Sequence, residues 1–190
     1  MNNLIRLILA GITISTLSGC TPIAHEEPIP QYTFKNSFDA VQAGQLILEE
    51  GTAKIKGNAF LKQKGGTVVT CAGNEVQLIP YTEYANERLS LLYGNVTKGY
   101  QSYYGRSFKF VNDDKNYHTY KKKTVCDSEG KFEFDNLKEG TYFVSTEVSW
   151  KISKYLTKYS EYPTEVTEGG YLLQQVQVNK DDSKSIVLTR

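Results

Sequence analysis

The sequence predicts an all-β fold, an antiparallel β-sandwich of about seven strands with a long tyrosine-rich insertion. Two observations predict this class. From residue 53 onward, short runs of β-branched and aromatic residues alternate with turn residues, and no long helical period is sustained. Tyrosine occurs 14 times against one tryptophan and one methionine, a composition typical of β-rich domains. A chain of 190 residues is long enough for one such domain with its own core.

The N-terminus predicts an export signal and a lipid anchor. The apolar run of residues 7–14 is too short to span a bilayer, and its position is typical of a secretory signal over residues 1–19. The segment Leu-Ser-Gly-Cys at 17–20 resembles the bacterial lipobox, which implies cleavage before Cys20 and lipidation of its thiol. We expect the chain to contact a membrane through this anchor, on the outer membrane if the host is Gram-negative. An ordinary cleaved signal with a coincidental cysteine is the alternative.

The rest of the chain divides into a tether and one domain. Residues 20–36 are rich in proline and predict an extended tether, and residues 37–190 predict a single sandwich domain. A helical turn or two is expected near residues 38–43. The predicted strands cover 53–61, 67–71, 75–79, 121–126, a short piece around 132–134, 141–150, 170–178 and 184–189. Gly57 is interpreted as a bulge in the first strand, and residues 151–169 as an irregular connection.

The insertion, residues 81–122, is the least regular part of the predicted domain. Residues 83–93 favour a helix of about three turns, and glycines then interrupt the pattern. A tyrosine ring has a flat apolar face and a hydroxyl, which suits contacts with glycans or proteins. We therefore predict a candidate binding surface here, with packing of the insertion onto the sandwich as the alternative. Its tyrosines are Tyr81, Tyr84, Tyr93, Tyr100, Tyr103, Tyr104, Tyr117 and Tyr120.

Three segments resemble the carboxypeptidase regulatory-like domain, a transthyretin-like β-sandwich. They are residues 53–60, residues 74–80 and residues 127–142. The last is the most specific, with a turn glycine, two aromatic strand positions, a leucine plug, and then glycine and tyrosine. The resemblance implies the sandwich fold and a structural or interaction role without activity. The insertion is far longer than the connection usual in that family.

Cys71 and Cys126 predict a disulfide. Each ends a β run just before a turn, and an exported chain with two cysteines besides the lipidated one favours a bond between them. Such a bond would hold both ends of the insertion together. Two buried free thiols are the alternative.

Catalysis is not predicted by any motif. The two histidines, His25 and His118, are isolated, and the sequence has neither a nucleophile motif nor a metal-ligand spacing. The 21 acidic and 22 basic residues balance, so we expect no nucleic-acid partner. We therefore predict a non-enzymatic envelope module without catalytic residues, metal or cofactor, which contacts a protein partner or glycan. A structural subunit or spacer of an envelope assembly is the alternative, and a hydrolase is the least favoured class.

Overall fold

The structure, a computed structural model, describes residues 28–190. The predicted signal, the lipidated Cys20 and the first part of the tether lie outside these residues. Among the helices of the described part, none is long and apolar enough to cross a bilayer. The strands are β1 (Gln31–Tyr32), β2 (Ala53–Lys62), β3 (Val68–Thr70), β4 (Glu75–Pro80), β5 (Lys98–Ser102), β6 (Lys109–Phe110), β7 (Lys122–Val125), β8 (Lys131–Leu137), β9 (Gly140–Lys154), β10 (Thr164–Val178) and β11 (Ser183–Leu188), and the helices are α1 (Ala40–Ile47), α2 (Glu83–Tyr93) and α3 (Lys115–Thr119).

Two sheets make the sandwich and confirm the predicted all-β class. The larger has five antiparallel strands in the order β5-β10-β9-β4-β7. In the smaller, β11 runs parallel along one edge of β2, while β8 and β3 share its other edge. Strands β1 and β6 form a separate two-residue parallel pair.

The main core lies between the two sheets and explains the alternating apolar residues of β8. In β8, Phe132, Phe134 and Leu137 are buried while their neighbours face water, as a half-buried strand requires. Burial of each such side chain contributes about 2 kcal/mol. Gly57 is not the bulge that we predicted, because the shift in register lies between Ala53 and Ile55. A Cβ on Gly57 would lie 2.1 Å from the Phe132 ring, so its role is to admit that ring.

A second core covers the outer face of the five-stranded sheet. Helix α2 has the predicted bounds: the Thr82 hydroxyl accepts a hydrogen bond from the N–H of Ala85, and Gly94 ends the helix in the left-handed conformation. Its buried side packs with Phe143 of β9 and Leu173 of β10. The insertion therefore folds back onto the sandwich as a cover, and it also contains α3, which was not predicted.

The predicted disulfide is present and joins the two sheets. Cys71 follows β3 and Cys126 follows β7, with a Cα–Cα distance of 5.7 Å. The N–H of Cys126 donates to the Asn74 carbonyl (3.0 Å), and the N–H of Gly73 donates to the Cys126 carbonyl (3.0 Å). The bond thus lies in a hydrogen-bonded corner at the base of the insertion.

Strands β9 and β10 form a long ribbon, so the irregular connection predicted over 151–169 is confined to residues 155–163. The two strands stay paired as far as Lys154 and Thr164. Lys151 forms an ion pair with Glu165. Such exposed, oppositely charged side chains face each other across the two strands and are not buried. This part of the sequence therefore lacks the alternation of apolar and polar residues by which a strand is predicted.

Candidate functional site: a groove at the open end of the sandwich

An open groove of about 500 Å³ lies where β9 and β10 run past the end of the smaller sheet. Its walls are the β9–β10 ribbon, the end of β5, the β2–β3 turn and the residues that follow β11. The inner face of the larger sheet is uncovered here, because β2 ends at Lys62 while its neighbours across the core continue. The lining residues are Lys62, Gln63, Lys64, Tyr100, Ser102, Tyr104, Trp150, Lys154, Leu156, Val166, Thr167, Glu168, Gly169 and Arg190.

Three aromatic side chains line the groove and are held in place. Trp150, half-buried on β9, packs against the main core. The Tyr100 hydroxyl donates to the Gly169 carbonyl (3.0 Å), and Tyr104, 71% exposed, accepts a hydrogen bond from the N–H of Thr167 (3.4 Å). Rings fixed in this way lose little entropy when a ligand stacks on them.

Gly169 on β10 allows this strand to pack closely against β9 and the Trp150 ring. It has φ of +97°, a conformation that favours glycine, and a Cβ there would lie 2.2 Å from the Val148 carbonyl oxygen and 3.0 Å from Cζ3 of Trp150. The shape of the groove therefore depends on this glycine.

Charged groups surround the aromatic rings. Four cationic side chains line the groove with one acidic side chain, that of Glu168; the cations are Lys62, Lys64, Lys154 and Arg190. Lys154 forms an ion pair with Glu168. The guanidinium carbon of Arg190 lies 5.0 Å from the centroid of the Tyr100 ring.

A second cleft, of about 360 Å³, lies beneath α2 on the outer face. There the hydroxyls of Tyr93 and Ser145 share a hydrogen bond of 2.9 Å, and the Lys121 ammonium donates to Gln77 Oε1 (3.2 Å). Burial lowers the pKa of Lys121 to about 8, and repulsion from Arg88 and Lys123 acts in the same direction.

The predicted tyrosine surface is divided by the fold. Tyr84 and Tyr117 are buried in the second core, so for these two the packing alternative is correct. Tyr81 and Tyr93 are half-buried against the same core, and the half-buried Tyr120 packs on the Phe38 ring (centroids 5.8 Å apart).

The remaining three tyrosines lie on β5 or directly after it. Tyr100 and Tyr104 line the groove, and Tyr103 stacks on Tyr171 with ring centroids 6.2 Å apart. Their role in binding stays a prediction. Sequence reasoning missed Trp150, which we had treated only as a strand residue. Its position as the sole tryptophan, on the strand that leads into a polar segment, was the available signal.

His118 is part of a structural cluster. Its Nε2 lies 3.3 Å from Oδ2 of Asp113, which also binds Arg88 and accepts a hydrogen bond from the Tyr84 hydroxyl (2.6 Å). Partial burial of Asp113 opposes ionisation, yet the hydrogen bonds from Tyr84, His118 and Arg88 lower its pKa. This carboxylate therefore serves as the counter-ion of Arg88. Over residues 28–190 no three potential metal ligands group together.

Comparison with known proteins defines the class of this chain by its fold. No protein-family model matches it, and no curated protein matches it. It is similar to the crystal structure of a proposed carbohydrate-binding protein from Pseudomonas aeruginosa. The TM-score is 0.64 at 24% identity, over 82% of this chain and 99% of that one. The chain is an all-β sandwich protein with a helical cover on one face and an aromatic groove at one end.

Proposed function

We propose that this protein is a non-catalytic glycan-binding module whose ligand lies in the open-end groove. The observation that carries the proposal is the set of three fixed rings, Trp150, Tyr100 and Tyr104, within reach of charged and amide side chains. Sugars present apolar C–H faces, which stack on aromatic rings, and hydroxyls, which need hydrogen-bond partners. The carbohydrate-binding role proposed for the similar Pseudomonas protein supports the same ligand class.

The lipid anchor belongs to the same proposal. The lipobox-like segment ending at Cys20 supports a module held on a membrane, with the tether placing the sandwich in water. The resemblance to carboxypeptidase regulatory-like domains supports a binding role without catalysis. The mass of the protein purified from its native host tests the anchor: acyl groups on Cys20 are expected, and a mature chain with an unmodified Cys20 would overturn this part.

The sole tryptophan provides a fluorescence signal for binding in the groove. Emission excited where tyrosine does not absorb comes from Trp150 alone. We expect a saturable change in this emission on titration with a panel of neutral and acidic oligosaccharides. Tyr104→Ala should weaken binding by about tenfold, because stacking on one ring contributes about 1 kcal/mol or more.

The matched control is Tyr159→Ala. Tyr159 is 83% exposed in the loop that joins β9 to β10 and does not line the groove. Both variants should unfold within about 0.5 kcal/mol of the parent, as surface substitutions do. The proposal is overturned if no oligosaccharide of the panel gives a saturable signal, or if Tyr104→Ala binds as tightly as Tyr159→Ala.

A further inference from the structure

The groove carries more positive charge than the chain as a whole. The whole sequence has nearly equal numbers of acidic and basic residues, yet four cationic side chains and only one acidic side chain line the groove. That carboxylate, Glu168, is already paired with Lys154. We infer that the groove selects an acidic glycan, one whose sugars carry carboxylate, sulfate or phosphate groups. This inference rests on the proposed function.

Strand β2 provides an internal comparison. It carries three lysines, of which Lys54 pairs with Asp135 (2.8 Å) and Lys56 pairs with Glu133 (3.2 Å). Lys62, the third, is at the groove, and no carboxylate of the described residues pairs with it. Strand β2 thus pairs its first two lysines with carboxylates of β8, whereas the lysine that reaches the groove has no such pair among the described residues.

Lys64 and Arg190 also lack an ion-pair partner among the described residues. Among the ion pairs formed within residues 28–190, none includes either side chain, although both line the groove. A cation that has no ion-pair partner among these described residues can pair with an anionic ligand without first breaking one of the pairs seen here.

Arg190 could bind an acid group through its planar guanidinium. Its guanidinium lies over the Tyr100 ring, and a guanidinium binds a carboxylate or a sulfate through two parallel N–H donors. A sugar that stacks next to Tyr100 would therefore bring its acid group to a donor of suitable shape. A neutral sugar would use the rings and leave this donor without an anionic partner.

The test compares an acidic oligosaccharide with its neutral ester. An oligogalacturonate and its fully methyl-esterified form have the same length and linkage, and a sulfated oligosaccharide extends the acidic set. Trp150 emission measures the affinity of each at low and high salt. We expect the acid form to bind at least about tenfold more tightly than the ester, and added salt to remove most of that difference.

Substitutions locate the effect. Lys62→Gln and Lys64→Gln should each weaken binding of the acid form by about fivefold and leave the ester unchanged. Lys56→Gln is the matched control, since Lys56 lies on the same strand but pairs with Glu133. Equal affinity for acid and ester overturns the selectivity for acidic glycans and leaves glycan binding intact, whereas absence of saturable binding by every ligand overturns both. An acid-form affinity unchanged in both groove variants also overturns the inference.

Discussion

Two regions of this molecule use tyrosine in opposite ways. Beneath α2, Tyr84 and Tyr117 are buried, and their rings fill the space between the insertion and the five-stranded sheet. At the open end, Tyr104 keeps most of its ring in water, and Tyr100 lines a groove. The difference arises because one face of the sheet has a cover and the end of the other face has none. Residue type alone therefore does not distinguish a binding surface from a core.

The covered region is held together by a buried charge. Arg88 is only 9% exposed, and its guanidinium carbon lies 4.2 Å from the Phe110 ring centroid and 4.8 Å from that of Tyr117. Its counter-ion is Asp113. Removing one partner of such a pair leaves the other charge uncompensated. Substitutions in this cluster should therefore destabilise the covered region and leave the groove unaffected.

The largest effect is expected from Arg88→Ala. It should lower the free energy of unfolding by about 3 kcal/mol, because the Asp113 carboxylate loses its counter-ion and the rings lose a stacked cation. Urea unfolding measures the loss, and Arg106→Ala, an exposed arginine of the same insertion, is the control. Under conditions where the variant stays folded, glycan affinity at the groove should not change. A variant as stable as Arg106→Ala would contradict the role assigned to the cluster.

Gly169→Ala should cause the next largest loss of stability, and it should change the groove at the open end. The positive φ and the contact with Val148 predict a loss of about 2 kcal/mol, and displacement of the Trp150 ring should shift its emission. Gly65→Ala is the matched control, because a Cβ there meets no atom within 4 Å. Unchanged tryptophan emission in Gly169→Ala would show that the groove does not depend on this glycine.

A smaller effect on stability is expected when the pH is lowered. The pKa of Asp113 is lowered in the folded protein, so its stabilising contribution is complete above the unfolded value of about 3.9 and is lost as pH falls through the folded value. Asp113→Asn should therefore be less stable than the parent at neutral pH, with the difference shrinking below about pH 4. Urea midpoints across this range measure it. A difference that does not vary with pH would contradict the assignment.

The smallest effect concerns reactivity and leaves stability unchanged. With its pKa lowered to about 8, the Lys121 amine is half deprotonated at a pH where an ordinary lysine is almost fully charged. Limiting acylating reagent at about pH 8 should modify Lys121 faster than the neighbouring Lys123. Peptide mass spectrometry measures both rates in one sample. Equal rates would show that the cleft does not perturb this amine.

The two regions also differ in how well the sequence predicted them. The bounds of α2 were predicted because its helical apolar period and the glycine that ends it, Gly94, are local signals. The disulfide was predicted because Cys71 and Cys126 both precede turns. The groove was not predicted, because it brings together segments as distant as Lys62 and Arg190 in the sequence.

The position of the disulfide has a mechanical consequence. A pull on the chain ahead of Gln31 is carried first by the two residue pairs of β1 and β6 and by Glu87, which accepts hydrogen bonds from the N–H groups of Lys35 (2.8 Å) and Asn36 (3.0 Å). Beyond those contacts, the Cys71–Cys126 bond shields the 55-residue span it closes. Roughly 190 Å of contour length cannot be drawn out by force until that bond is reduced. Extension of the oxidised protein should therefore be shorter than that of the reduced protein by this length.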